Sequence, residues 1–514
     1  MQSTPEFPAS QSNVNFWLEP RTLVAYAVSL LALAEIIDLT IVAVAIPHIM
    51  GSLSANLSEV SLTMTSYIVA AAVCIPLTGL VTRKFGMKHV VLASAVIFGI
   101  SSVLCGMSTS LNQMIFFRLI QGVGGAFLPS IAQSYISRSF TPEEQPKMMT
   151  VFSLCVVMGP IIGPVFGGAL AENLDWRWCF YVNVPICIAG FLLIWHYMKN
   201  DKHDDVSIDY ISFAFMALGV GCLEYFIDEG NTNNWFDSME MVIVLTIAIV
   251  LLIFFVWRGL LGKSVINFKI FKNTNFVLCC LSMFLFMLMA SASLAYFPTM
   301  LQQSFGYPVD TAGYITAPRG LVAFIIAPIV AKLIGKVDAR RIMFLGLLTF
   351  GLGCFMLSSY APAVSQSYII CSMLVQGIGM MSFFIPIMQI VFIDVPQSLH
   401  SDVSGVFNFF RNIASSVGTS LSSTIVSHQM QVTYHDMGAH VSPYERGYLW
   451  WSQNLASGVP EQSKIMLAQA QVIGQGALVS YLDSFFAFGC GMLLILWLPF
   501  LLKRPAAGAP VHMD

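Results

Sequence analysis

Fourteen apolar runs, each long enough to cross a bilayer, divide this 514-residue chain at roughly 22–46, 60–82, 90–107, 112–136, 150–171, 179–198, 210–228, 239–257, 275–303, 311–333, 342–360, 367–393, 402–427 and 476–502. A helix needs about 20 apolar residues to span the hydrocarbon core. Inside that core each backbone polar group must be satisfied within its own segment, so such runs fold as helices or not at all. The composition agrees: 57% of the residues are hydrophobic and 10% are charged, against about 25% charged in a soluble domain. So few charges cannot cover a water-facing surface, which excludes a soluble enzyme and a disordered chain. A net charge of −3 offers no basic stripe for nucleic acid. The chain reads as an all-α membrane protein with 14 transmembrane helices.

Lysine and arginine set the orientation. With the N-terminus in the cytoplasm, 18 of the 24 Lys and Arg fall on cytoplasmic segments. Arg177, Arg446 and Lys464 fall outside, and Arg118, Arg319 and Arg411 fall within spans. This bias toward one side predicts an even number of spans and two cytoplasmic ends. The chain also repeats itself: Leu119-Ile-Gln-Gly-Val-Gly124 matches Leu374-Val-Gln-Gly-Ile-Gly379 at an offset of 255, with Pro129 and Pro386 following. Basic loops precede both, at Arg83–Lys88 and Lys336–Arg341. Two related six-helix halves with two added helices between them explain the offset, an arrangement typical of secondary transporters. The expected division is a cytoplasmic tail (1–21), a first six-helix bundle (22–198), two additional helices with a cytoplasmic linker (199–274), a second six-helix bundle (275–502) and a cytoplasmic tail (503–514).

The 11 cysteines lie in or beside apolar runs, which reads as packing. No cleaved signal peptide is recognisable ahead of the first span. The one long polar segment within the second bundle, about 428–475, should lie outside. It carries His428, His435, His440, Tyr444, Trp450 and Trp451, without the tight ligand spacing of a metal site, and reads as a partner or lid surface. Gly262-Lys-Ser264 resembles the end of a phosphate loop, but Trp257 occupies the position of the required first glycine. No cofactor or metal is expected.

Charged residues inside the spans carry the chemistry. Glu35 and Asp38 stand at i and i+3 on one face of the first helix. A charge in hydrocarbon persists when it is paired or lines an aqueous path. Arg118 in the fourth span lies at a depth matching Asp38. The two can form a static ion pair, or a carboxylate that exchanges a proton for a cationic partner or ligand. Gly159-Pro-Ile-Ile-Gly-Pro-Val-Phe-Gly-Gly168 sets glycines at 159, 163 and 167 on one face and prolines at 160 and 164. Such a helix allows close approach of a neighbour and loses backbone bonds at proline, which suits either a hinge or plain close packing. Glu224, Asp228, Asn408 and Arg411 are further intramembrane polar groups, with Arg411 about nine residues deep. Phe127 and other Phe and Met residues suit an adaptable apolar pocket.

Several segments resemble fourteen-span drug:proton antiporters of the major facilitator superfamily, EmrB-type exporters in particular. They are Ile37–Pro47, Arg118-Leu-Ile-Gln-Gly122, Gly159–Gly168, Trp176–Pro185, Phe297-Pro with Leu301-Gln302, and Asn408-Phe-Phe-Arg-Asn412. The resemblance covers about residues 20 to 500. It implies a bacterial inner-membrane antiporter that expels hydrophobic or cationic drugs in exchange for protons. Periplasmic adaptor (EmrA-like) and outer-membrane channel (TolC-like) partners are implied too. The implied roles are proton coupling by Asp38, Glu35 and Arg118; the antiporter motif at Gly159, Pro160, Gly163, Pro164, Gly167 and Gly168; a pocket drawing on Gln121, Phe127, Glu224, Asp228, Gln302, Asn408 and Arg411; and a cytoplasmic gate loop at Gly79, Arg83 and Gly86. Departures stand out: Arg83 occupies the place of the usual loop acid, so a conformational lock must be altered or made elsewhere. Ala43 stands for an asparagine, and Met373 for an arginine in the second half, so coupling should concentrate in the first. The alternatives are an exporter of a native metabolite, lipid or fatty acid, or a membrane receptor or enzyme without transport. No enzymatic activity is expected.

Overall fold

A computed structural model describes residues 16–141, 143–200, 209–334, 336–362, 364–439, 445–454 and 460–503. Thirteen helices in it are long and apolar enough to span a membrane: α1 (Pro20–Leu53), α2 (Glu59–Phe85), α3 (Met87–Gly106), α4 (Leu111–Ser139), α5 (Gln145–Asn173), α6 (Trp178–Tyr197), α7 (Tyr210–Glu229), α8 (Met239–Leu260), α9 (Thr274–Gln303), α10 (Thr311–Ile334), α11 (Ala339–Ser358), α12 (Gln366–Ile390) and α14 (Ser463–Leu501). The long helix α13 (His400–Ala439) makes fourteen. Its run of Ser, Thr and Asn is too polar for a lipid-facing span, and its surroundings explain why: α2, α4, α7, α9 and α14 all pack against it. Side-chain caps fix several helix starts. Ser110 caps α4, Asp209 caps α7, Asn273 caps α9, Asp338 caps α11 and Ser365 caps α12. Between α2 and α3 the chain reverses at Gly86, whose φ of 80° lies where side-chain-bearing residues rarely go.

The packing reproduces the repeat. In the first bundle α1 packs on α5, α2 on α4, α3 on α4 and α3 on α6; in the second, α9 packs on α13, α10 on α12, α11 on α12 and α11 on α14. The bundles meet through α2 against α13 and through α5 against α10, which are the same contact with the two halves exchanged. The added helix α7 lies on α2 and α13 at one of these seams, with α8 packed on its other side.

The polar segment 428–475 differs from the loop expected. Helix α13 runs on to Ala439, a short helix covers Arg446–Gln453 and another begins at Glu461. His428 and His435 therefore ride on the extension of α13, while His440 and Tyr444 fall outside the described residues. The Gln and His residues of this segment interrupt the apolar stripe by which helices are recognised.

Candidate functional site

Five helices of the first bundle converge on Asp38. Arg118 Nη1 on α4 donates to Asp38 Oδ2 at 2.5 Å and to Gln121 Oε1 at 2.7 Å, and its Nε donates to the Thr63 carbonyl of α2 at 3.2 Å. Asp38 Oδ1 accepts from Gln121 Nε2 at 2.9 Å and from Asn183 Nδ2 of α6 at 2.7 Å. Gln121 also donates to Ser102 Oγ of α3 at 2.8 Å. The guanidinium lies 4.3 Å from the centre of the Tyr67 ring and 5.7 Å from that of Phe180. Both members of the ion pair have no exposed side-chain surface. The amide donors satisfy Asp38, while Arg118 Nη2 is left without a hydrogen-bond partner; removing one member of a buried pair typically costs about 3–5 kcal/mol.

Glu35, one turn earlier on α1, has looser company. Its Oε1 accepts from the Tyr67 hydroxyl at 3.5 Å, while Oε2 has no hydrogen-bond partner. Gly125 makes room for this contact, because a Cβ there would stand 2.5 Å from the Tyr67 hydroxyl and 3.1 Å from Glu35 Cγ. Arg411 on α13 is also buried, with its Nη1 lacking a hydrogen-bond partner.

The glycines of the Gly159–Gly168 segment face α1 immediately behind these acids. A Cβ at Gly159 would come within 2.4 Å of Ile36, at Gly163 within 2.0 Å of Thr40 Oγ1, and at Gly167 within 2.8 Å of Ile41. The Thr40 hydroxyl donates to the Gly159 carbonyl at 3.3 Å. Helix α5 remains continuous through Pro160 and Pro164, and Gly168 is buried with the others.

At the basic face, where Arg83, Lys88 and Arg138 lie, polar contacts tie the two bundles. Arg83 pairs with Asp402 at the start of α13. Ser134 meets Ser401 at 2.9 Å, Ser137 meets His400 Nδ1 at 3.0 Å, and Asn408 donates to Gln133 at 2.7 Å. Gly79 and Gly405 let the backbones close: a Cβ on Gly79 would lie 2.7 Å from the Asp402 Cα, and one on Gly405 3.0 Å from the Ile75 carbonyl. Where the usual loop acid is replaced by Arg83, the acid stands on the opposite bundle.

The remaining pocket candidates separate. Gln121 belongs to the Asp38 network and Asn408 to the basic-face contacts. Glu224 and Asp228 lie at the seam where α7 joins α13 and α2: Ser416 donates to Glu224, Thr65 donates to Asp228, and Ser420 donates to the Ile227 carbonyl at 2.5 Å. Gln302 is half-buried in the last turn of α9. Phe127 lines a recess with Val81, Phe85 and Val123. Residues that sequence reasoning did not single out are Tyr67, Ser102, Asn183, Gln133, His400 and Asp402. The signal available for Asp402 was an acid opening an apolar span; for Tyr67 and Asn183 it was a polar group within one.

The family profile described as Major Facilitator Superfamily matches residues 28–419. The multidrug export protein EmrB of Haemophilus influenzae is 32% identical over 485 residues, covering 92% of this chain and 95% of that protein. EmrB of Escherichia coli K12 is 30% identical, covering 94% and 95%. The fatty acid resistance protein FarB of Neisseria gonorrhoeae is 27% identical, covering 94% and 96%. Among solved structures, the human organic anion transporter MFSD10 (TETRAN) superposes with a TM-score of 0.63 at 13% identity over 94% of this chain and all of that one. The proton:xylose symporter XylE does so with a TM-score of 0.60 at 13% identity, over 94% and 96%.

Proposed function

The chain belongs to the major facilitator superfamily, and from that premise we propose that it is a multidrug efflux antiporter driven by protons. The observation that carries the reading is the enclosed Asp38–Arg118 pair, held among five helices of the first bundle. A carboxylate whose charge is stabilised by one movable cation exchanges its proton when that cation's hold changes. Asp38 is the proton carrier, Arg118 sets its charge state, and Glu35 is a second carrier. Protonation removes a buried charge and shifts the balance between two arrangements of the bundles. The glycine face of α5 against α1 serves as the hinge. Gly79, Gly86 and Arg83, with Asp402, form the gate that closes the basic face.

The basic face is cytoplasmic, with both ends of the chain on that side and the helical extension of α13 and α14 in the periplasm of an inner membrane. The exposed Trp450 on the short helix Arg446–Gln453 and Met466 on the extension of α14 suit a periplasmic adaptor of the EmrA type, leading to a TolC-type channel. The names of the EmrB relatives support drugs as cargo. The name of FarB favours a second reading, an exporter of fatty acids, which accumulation assays with both compound classes distinguish. The coupling test is drug-driven proton movement in proteoliposomes. Asp38→Asn should bind drug but lose that movement; wild-type coupling in the variant removes Asp38 from the role.

A further inference from the structure

The added helix α7 bridges the two bundles at a point where they otherwise part. Helix α13 packs chiefly on residues 75–85 of α2, next to the basic face. Farther from that face, over Leu57–Cys74, α7 lies against α2 and against α13. Glu224 and Asp228 stand at i and i+4 and so share one face of α7. That face is bonded on both sides: Ser416 of α13 donates to Glu224, and Thr65 of α2 donates to Asp228. One helix thus carries polar contacts to a wall of each bundle.

The two sides are built differently. Toward α13 the bonds are spread from Glu224 to Trp235. Besides the Ser416–Glu224 bond, Ser420 donates to the Ile227 carbonyl at 2.5 Å, Asn231 donates to Ser423 at 2.9 Å, and Trp235 Nε1 donates to Thr424 at 3.0 Å. Ser416, Ser420 and Ser423 fall at i, i+4 and i+7, one stripe of α13. Toward α2 the polar contacts end on the last two residues of α7. Thr65 meets Asp228 and, at 3.4 Å, Glu229, which Ser61 also bonds. Deeper along α7, Gly221 leaves the helix close to Val69 and Val73, which a Cβ would meet at 3.6 and 3.8 Å. That apolar contact fixes no register. A helix bonded to both walls of a seam cannot keep both sets of bonds when the walls rotate. The set with several spaced donors, one of them on a main-chain carbonyl, costs more to break, because each buried group it strands carries its own desolvation penalty. We propose that α7 is a clasp carried by the second bundle. It stays on α13 throughout, and it grips α2 at Thr65 through Asp228 only in the arrangement closed at the basic face. Glu224 and Asp228 are then positioning residues, the first holding the clasp to its own bundle and the second catching the other. The proposal rests on the efflux reading in one respect, that the bundles alternate.

The test uses the full chain in proteoliposomes, with spin labels at Lys84 on α2 and Gln397 just ahead of α13 reporting the basic face by pulsed dipolar distances. Thr65→Val keeps the shape of the side chain and removes the grip. It should raise the long-distance population relative to the short one roughly tenfold, the lower end for a hydrogen bond to a charged group. Thr65→Ser, which keeps the hydroxyl, should match wild type and shows that the shift is not misfolding. Ser416→Ala strands Glu224 equally in both arrangements. It should therefore lower the melting temperature and leave the distance distribution where it was. An unchanged distribution in Thr65→Val, in a wild type that does populate both distances under imposed proton gradients, overturns the clasp alone. Equal shifts in Thr65→Val and Ser416→Ala overturn the assignment of α7 to the second bundle. One distance in wild type under gradients of either direction overturns the alternation, and the efflux reading with it.

Discussion

Substituting Gly79 by alanine tests whether the basic-face contacts gate the molecule. The new Cβ would sit 2.3 Å from Asp402 Oδ1, 2.4 Å from its Cγ and 2.7 Å from its Cα. The first two atoms can swing away, but the third is backbone. Helices α2 and α13 must therefore separate by roughly 1 Å to restore van der Waals contact, since carbon atoms prefer about 3.5–4 Å. Overpacking of this kind costs about 1–3 kcal/mol, and the cost falls only on the arrangement in which these ends touch. The equilibrium should move toward the arrangement open at the basic face by about 5- to 150-fold. Spin labels at Lys84 and Gln397, on either side of the contact, report it as a longer distance population in pulsed dipolar measurements. Asp402→Asn added to Gly79→Ala should not restore the short distance, because the Cα clash remains. An unchanged distance distribution in Gly79→Ala refutes the gate.

Two more perturbations probe the same machinery. Asp402→Arg should leave two cations facing each other and abolish export, and Arg83→Asp in the same chain should recover a substantial part of it; resistance conferred on expressing cells measures both, and a double variant no better than Asp402→Arg shows that the pair is incidental. Gly163→Ala drives a methyl group to 2.0 Å from Thr40 Oγ1 and should slow transport at least about fivefold at about 1–3 kcal/mol of strain, with Thr40→Ala giving partial rescue; full activity in Gly163→Ala means that α1 and α5 yield freely there.

Much of this was legible in the sequence because the membrane restricts the options so severely. The span pattern, the basic side and the half-chain repeat all follow from where apolar and basic residues fall. The pairing of Asp38 with Arg118 followed from equal depth, one of the few tertiary relations that sequence alone supplies in a bilayer. Depth does not say which helices adjoin. Asn183 therefore read as part of a motif rather than a donor to Asp38, and Tyr67 carried no signal that set it apart. Asp402 was obscured for a related reason: an acid at the start of a span looks like an interfacial residue until the packing of α2 on α13 puts Arg83 beside it. The polar extension of α13 and α14 leaves only a faint trace, the partly amphipathic, Gln-rich stretch near 461–475, because polar residues interrupt its apolar face.

The repeat also supplies its own control for the proton carrier. An offset of 255 places Ser293 at the position of Asp38, Met373 at that of Arg118 and Gln376 at that of Gln121. The second-half residues are assembled as in the first: Ser293 donates to Gln376 at 2.9 Å, and a buried arginine donates to both, at 3.1 and 2.6 Å. That arginine, Arg319, comes from α10 rather than α12, and among the described residues no acid joins it in an ion pair within 4.0 Å. One scaffold thus holds an acid–base pair in one half and a cation among neutral groups in the other. Transplanting the neutral pair, Asp38→Ser with Arg118→Met, should separate folding from coupling. Asp38→Ser alone strands Arg118 and should cost about 3–5 kcal/mol, whereas replacing both members of a buried pair is often close to neutral. The double variant should therefore melt near wild type and show a coupling energy of several kcal/mol in the mutant cycle, yet drive no proton movement. A double variant as unstable as the two single changes summed would mean that the ion pair does not act as a unit. One that still exchanges protons for drug would move the carrier away from Asp38 altogether.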